Sequence, residues 1–149
     1  MRRPHLLPFV CLFIVSTALL ASPAARAQGD VKGARDYPGI GRFGGSVITG
    51  YQVKDFDAAK IQAAAFKDGK SADARRLEGR VIRIAYRTPP GPSILEVSRN
   101  FETQLEKAGF ETLVACDTDA CGGIPFSETL DVPPLPQMWV DGFNYHYYA

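Results

Sequence analysis

The clearest spacing of chemically active residues in this chain lies just after the cysteine at position 116. Counted from Asp117, it matches several positions of a calcium loop of about twelve residues, at Asp117, Asp119, Cys121, Gly122, Ile124 and Glu128. Cysteine is a poor calcium ligand, Pro125 falls inside the loop, and the preceding segment has the pattern of a strand. We therefore predict no metal ligand and no cofactor, and calcium binding stays open as the alternative.

The two cysteines of this region, Cys116 and Cys121, are separated by four residues. Redox enzymes place two residues between their cysteines at a helix start, so this spacing favours a structural disulfide. So small a ring contributes about 2 kcal/mol, and we expect it to hold the turn after a strand. Zinc would need two further ligands, and His146 is the only histidine beyond position 27.

His146 is also the one candidate base for nucleophilic catalysis. Ser46 follows two glycines, but Ile48 interrupts the Gly-x-Ser-x-Gly pattern of a nucleophile elbow. We interpret His146 as a strand histidine with satisfied hydrogen bonds, and we predict no catalytic residue. A small hydrolase that uses His146 is the rival hypothesis.

Aromatic residues dominate the C-terminal segment. Trp139, Phe143, Tyr145 and Tyr147 occupy alternating positions within residues 138–148, which predicts a strand. This set can form the core face of a sheet, or a platform for sugar rings or a partner protein. The core interpretation is favoured, and the same four residues are the candidate binding surface.

The N-terminus has the layout of a secretory signal peptide. Arg2 and Arg3 precede an apolar run over residues 6–20, and small residues end in Ala25-Arg26-Ala27. The run holds about 15 residues, fewer than the roughly 20 that span a bilayer, so a cleaved signal is favoured over an anchor. We expect cleavage near Ala27 and export to the periplasm.

Removal of residues 1–27 changes the composition that matters for function. It leaves 122 residues, enough for one domain, and reduces the cysteines from three to two. Lys+Arg falls from 17 to 14 while Asp+Glu stays at 16, so the net charge moves from +1 to −2. A mildly acidic domain without a basic cluster argues against nucleic-acid binding, and no stretch of the mature chain is apolar enough to span a membrane.

The element pattern predicts an α+β fold. Residues 28–45 are glycine-rich and form a flexible entry segment, and residues 46–149 form a single domain. Alternation predicts strands from Ser46 and over residues 80–87 and 110–116, whereas residues 55–68 suit either helix or strand. We expect a mostly antiparallel sheet with one main helix packed on it.

That helix, over about residues 93–108, carries the strongest local signals. Ser93 is a natural N-cap with Glu96 three residues later, and Gly109 stands where a helix ends. Glu102 lies off the predicted apolar stripe, which consists of Ile94, Val97, Phe101, Leu105 and Ala108.

Three segments carry a resemblance to a known family: residues 36–48 with Tyr51, residues 77–79 before the second strand, and residues 108–111 with the cysteine pair. Together, over about residues 34–148, the chain resembles the N-terminal periplasmic domain of OmpA-type Gram-negative outer-membrane proteins. Members continue into a second domain that binds peptidoglycan, and the peptidoglycan-binding residues of that domain are absent from this sequence. The resemblance therefore does not carry peptidoglycan binding over. It leaves two interpretations of the aromatic C-terminal segment open: the last strand of the domain, or the end of a shortened version of a longer protein.

The functional hypothesis is a non-enzymatic envelope module, associated with the outer membrane, that binds or positions an envelope protein or cell-wall component. Two alternatives remain: a small periplasmic hydrolase, and a truncated, non-functional copy of a longer OmpA-family protein.

Overall fold

The computed structural model describes residues 29–149, so the predicted signal peptide lies outside the described residues. These residues form an α+β fold with two antiparallel two-stranded sheets, which confirms the predicted class. The elements in chain order are β1 (Val47–Gln62), β2 (Ala74–Arg87), α1 (Ile94–Lys107), β3 (Ala115–Asp117), α2 (Thr118–Cys121), α3 (Gly123–Ser127) and β4 (His146–Tyr148).

The larger sheet is a long ribbon of β1 and β2. Tyr51 lies opposite Ile84 and Val53 opposite Ile82, so these side chains share one face. The ambiguous stretch after position 55 continues as strand to Gln62, because pairing with β2 outweighs the helix propensity of its alanines.

The main helix begins and ends where the sequence predicts. The Ser93 hydroxyl accepts a hydrogen bond of 3.1 Å from the backbone N–H of Glu96. At the other end, Phe110 N–H donates to the Leu105 carbonyl and Gly109 N–H to the Glu106 carbonyl, which is a Schellman motif. Gly109 has φ +85°, a conformation that favours glycine.

The predicted strands at 110–116 and 138–148 are much shorter than expected. Only Ala115–Asp117 and His146–Tyr148 pair as β3 and β4. The alternation after position 138 is interrupted by a turn, in which Asp141 Oδ1 accepts from Phe143 N–H and the Asp141 carbonyl accepts from Asn144 N–H. Aspartate followed by glycine is a strong turn former, and it overrides the alternating pattern.

The disulfide joins β3 to α2, as the cysteine spacing predicted. Cys116 and Cys121 are bonded with their Cα atoms 5.2 Å apart, and Cys121 is fully buried. Gly122 follows with φ +126°, and a Cβ at this position would lie 2.6 Å from the Phe66 Cβ. The turn after the disulfide therefore accepts only glycine.

The core cluster is centred on the Cys116–Cys121 disulfide and the ring of Phe126. Phe126 is completely buried, with ring centroids of Phe66, Tyr147 and Tyr145 at 5.2, 5.0 and 6.3 Å. Edge-to-face and stacked geometries at these distances are favourable. The core thus lies between the short helices and the small sheet, away from the middle of the β1–β2 ribbon.

A guanidinium cluster fastens the entry segment to the ribbon. Arg42 forms ion pairs with Asp30 at 2.7 Å and with Asp36 at 3.1 Å, and Tyr86 donates its hydroxyl proton to Asp36. Asp30 also accepts from the Ile48 backbone N–H. The hydrogen bond from Arg42 lowers the pKa of Asp30, and the two carboxylates raise the pKa of Arg42.

Tyr86 makes the fold sensitive to alkaline pH. Burial, followed by its hydrogen bond to Asp36, raises the pKa of Tyr86 to about 12 from an ordinary value near 10. The folded state therefore holds this proton more tightly than the unfolded state, and its stabilising effect is lost as pH rises from about 10 towards about 12. We expect the free energy of unfolding to fall over this window.

Urea unfolding from about pH 8 to about pH 11 checks this expectation. A Tyr86→Phe variant lacks the titrating group and is expected to lose less stability over this range than the unsubstituted protein. Equal slopes for the two proteins would contradict the assignment.

Candidate functional site

The predicted aromatic surface forms one wall of a cleft between the end of the chain and β1. Its cavity volume is about 660 Å³. We call it the aromatic cleft; its lining includes Trp139, Tyr145, Tyr147 and Tyr148 with Met138, Val140, Ile61, Leu130, Ile94, Lys60, Asp131, Asp141, Asn144 and His146.

The structure divides the four predicted aromatic residues into two pairs. Trp139 is 71% exposed and Phe143 is 79% exposed, so neither belongs to the core. Tyr145 is 8% exposed and Tyr147 is half-buried, and both contact Phe126. Three of the four line the cleft, whereas Phe143 is not part of its lining. The favoured core interpretation therefore holds only for the two tyrosines.

Polar groups stand beside the exposed indole. Asp141 and Asn144 belong to the turn that follows Trp139, and β1 contributes Lys60 to the same lining. The Asn144 side chain has no hydrogen-bond partner among residues 29–149, whereas Asp131 is paired with Arg83. An amide, an ammonium group and a carboxylate thus line the same cleft as the indole, which suits a ligand that has both hydroxyl groups and a flat apolar face.

The cleft floor is held rigidly by hydrogen bonds. The Tyr147 hydroxyl accepts from Gln62 N–H at 3.0 Å and donates to the Gln62 carbonyl at 2.8 Å. The Gln62 side chain is 1% exposed and bonds Thr129 and Ser71. Burial raises the pKa of Tyr147 and of Tyr145, so both rings stay neutral at physiological pH.

His146 bridges the main helix and the small sheet. Its Nε2 lies 2.7 Å from Glu102 Oε1, and its Nδ1 lies 2.7 Å from Asp117 Oδ1. The Glu102 side chain is 5% exposed and that of His146 is 10% exposed, while Asp117 is open to solvent. Arg99 forms a further ion pair with Glu102 along the helix.

Both nitrogens of the His146 imidazole are engaged by carboxylate oxygens. Carboxylates accept hydrogen bonds, so two of them can be satisfied only if both ring nitrogens carry protons or one carboxyl group is protonated. In either case, hydrogen bonds at both ring nitrogens link α1, β3 and β4 through this one side chain. The predicted strand histidine is therefore placed on β4 with both nitrogens bonded.

The residues of the calcium-loop pattern do not wrap around a common centre. The segment folds into the short helices α2 and α3, and Asp117 is turned towards His146. Within residues 29–149, no three His, Cys, Asp or Glu side chains cluster in a way that could hold a metal ion. The same residues contain no helix with the length and apolar character needed to cross a bilayer.

Two functionally placed residues escaped the sequence reasoning. Glu102 was predicted to lie off the apolar stripe of the helix, yet it is the buried residue of α1. Gln62 carried no signal, because nothing near it in sequence indicates that its amide would be buried. For Glu102, the available signal was the single histidine beyond position 27, whose ring nitrogens need hydrogen-bond partners when the side chain is buried.

In comparisons with known proteins, no protein-family model and no curated protein matches this chain.

Proposed function

We propose that this protein is a non-enzymatic module of the bacterial cell envelope, of OmpA-family type, which binds a carbohydrate-containing cell-wall component in the aromatic cleft. The predicted signal peptide supports export to the periplasm, and the resemblance in residues 34–148 supports association with the outer membrane. The cleft supports the binding role.

The observation that carries the proposal is the exposure of Trp139 at 71% beside a cavity of about 660 Å³. Unlike the exposed rings of Phe56 and Phe143, this indole lines a cavity, so it offers a ligand a flat apolar surface inside a cleft. Sugar rings present an apolar C–H face that packs on an indole, and their hydroxyl groups suit Asp141 and Asn144 as hydrogen-bond partners. The cleft therefore fits a saccharide better than a purely apolar ligand.

The geometry of His146 supports a binding role over hydrolysis. A general base needs one unprotonated nitrogen directed at the hydroxyl of the nucleophile. Both nitrogens of His146 instead lie 2.7 Å from carboxylate oxygens. A hydrolase would have to break one of these bonds before it could act, so a structural role for His146 is favoured.

Binding can be measured directly, because Trp139 is the only tryptophan of the chain. We expect soluble muropeptides to change the indole emission, and purified sacculi to retain the protein in a sedimentation assay. Trp139→Ala is expected to weaken muropeptide binding, measured by calorimetry, by at least about tenfold, or about 1.4 kcal/mol.

Phe143→Ala is the matched control, since this ring is 79% exposed and lies outside the cleft lining. It is expected to bind as tightly as the unsubstituted protein. The proposal fails if muropeptides and sacculi do not bind, or if Trp139→Ala and Phe143→Ala weaken binding equally.

A further inference from the structure

A second cavity lies between the β1–β2 ribbon, the end of α1 and the entry segment, and it shares no lining residue with the aromatic cleft. Its volume is about 820 Å³, within the range of small-molecule sites. We call it the ribbon groove; it is lined by Arg35, Asp36, Tyr37, Pro38, Ile40, Tyr51, Arg80, Ile82, Ile84, Leu105 and Phe110.

The interior of the ribbon groove is apolar because both the ribbon and the end of α1 contribute apolar side chains to it. Ile82 and Ile84 point from one face of β2, and Tyr51 joins them from β1 through its pairing with Ile84. The Schellman motif at the end of α1 brings Phe110 beside Leu105. Phe110 remains 51% exposed, so the groove is an open apolar trough.

The rim of the groove carries positive charge that the fold leaves available. Arg35 has no hydrogen bond or ion pair with any other residue in the described part of the chain. The Arg80 Nε lies 4.0 Å from Asp55, which is 98% exposed, so this pair is weak.

Asp36 is the one acidic side chain of the lining, and its charge is already compensated. Arg42 Nε lies 3.1 Å from both carboxylate oxygens, and the Tyr86 hydroxyl donates to one of them at 2.9 Å. An anionic group at the rim would therefore meet two guanidinium groups without an unpaired opposing carboxylate.

We propose that the ribbon groove binds a monomeric amphipathic anion, a molecule with a single hydrocarbon chain and one anionic head group. The hydrocarbon chain would lie on Ile82, Ile84 and Leu105, where it would be removed from water. The head group would lie between Arg35 and Arg80, which suit a planar carboxylate.

The construction of the groove favours a small amphiphile over a peptide. Its floor is the face of the ribbon, where the backbone groups of Tyr51, Ile82 and Ile84 belong to the ladder between β1 and β2. A peptide laid on this face would lose hydration of its own backbone without gaining backbone partners, which is costly. A hydrocarbon chain has no such groups to satisfy.

The test is calorimetric titration of the protein with dodecanoate below its micelle concentration, with dodecan-1-ol as the uncharged counterpart. We expect one dodecanoate per protein, and affinity at least about tenfold higher than for the alcohol. The double variant Arg35→Gln with Arg80→Gln, and separately Phe110→Ser, are each expected to weaken dodecanoate binding about tenfold.

Arg76→Gln is the matched control, because Arg76 lies on the same strand, is 67% exposed and is outside the groove lining. It should bind dodecanoate unchanged. The emission of Trp139 should also stay unchanged, since this residue lines the aromatic cleft and not the ribbon groove. This readout separates the present proposal from saccharide binding.

Three results would overturn the proposal. Equal affinity for dodecanoate and dodecan-1-ol would show that the arginines do not bind the head group. Equal weakening of dodecanoate binding by the double variant and by Arg76→Gln would show non-specific charge attraction. Co-sedimentation with phosphatidylglycerol vesicles, without binding of dodecanoate, would identify a membrane surface instead of a monomeric ligand.

Discussion

Replacing Phe126 with alanine is expected to lower the free energy of unfolding by about 3–5 kcal/mol, the range found for buried phenylalanine. Phe126 is completely buried and contacts three aromatic rings, with centroids 5.0 to 6.3 Å away. The substitution removes the apolar surface of the ring and leaves a cavity that its neighbours cannot fill.

The neighbours are constrained, which makes collapse into this cavity difficult. The disulfide fixes Cys116 and Cys121, Gly122 is pressed against Phe66, and the Tyr147 hydroxyl is held by the Gln62 backbone. Since a domain of this size has about 5–15 kcal/mol of stability, Phe126→Ala removes a large fraction of it.

Urea unfolding followed by circular dichroism measures this loss. Phe56→Ala is the matched control, because it deletes the same atoms from a ring that is 75% exposed. It is expected to change stability by no more than about 0.5 kcal/mol. A similar effect of the two substitutions would show that Phe126 is not the centre of the core.

Replacing His146 with alanine is expected to lower the free energy of unfolding by about 2–4 kcal/mol, because it leaves the Glu102 carboxylate buried without its imidazole partner. The Glu102 side chain is 5% exposed, and its remaining partner, Arg99, is 71% exposed. The imidazole also holds Asp117, so its loss would loosen α1 from both strands of the small sheet.

A double-mutant cycle separates the bridge from general damage to the fold. His146→Ala and Glu102→Ala are each expected to be costly, whereas the double variant should cost clearly less than their sum. Arg99→Ala is the control: it removes only the exposed end of the network and should cost less than about 1 kcal/mol. Additive losses in the cycle would rule out a bridge.

Local signals predicted the main helix and the disulfide well. The Ser93 cap and the Gly109 terminus were correct because both act on backbone groups within a few residues of the chain. Cys116 and Cys121, five positions apart, are the two cysteines beyond position 27, so the pair was predicted from the cysteine count, and its spacing favoured a structural bond.

The strands near the C-terminus are shorter than the alternating pattern predicts. An alternating pattern describes side chains on a strand, but it carries no information on whether a pairing partner is present. The turn at Asp141 ends the alternation, and pairing is confined to three residues of each strand. The aromatic residues are consequently divided between core and surface, with Tyr145 buried and Trp139 exposed.

The sequence by itself determined the α+β class, the main helix with its caps, and the disulfide, because each depends on interactions between residues close along the chain. Only the tertiary structure decided that Glu102 and His146, 44 positions apart, lie within hydrogen-bond distance, and that Gln62 and Tyr147, 85 positions apart, are hydrogen-bonded beside the core. Both the aromatic cleft and the ribbon groove are likewise lined by residues that lie far apart in the sequence. Burial and pairing at such separations depend on how the elements pack, and a pattern that extends over a few residues does not encode that packing.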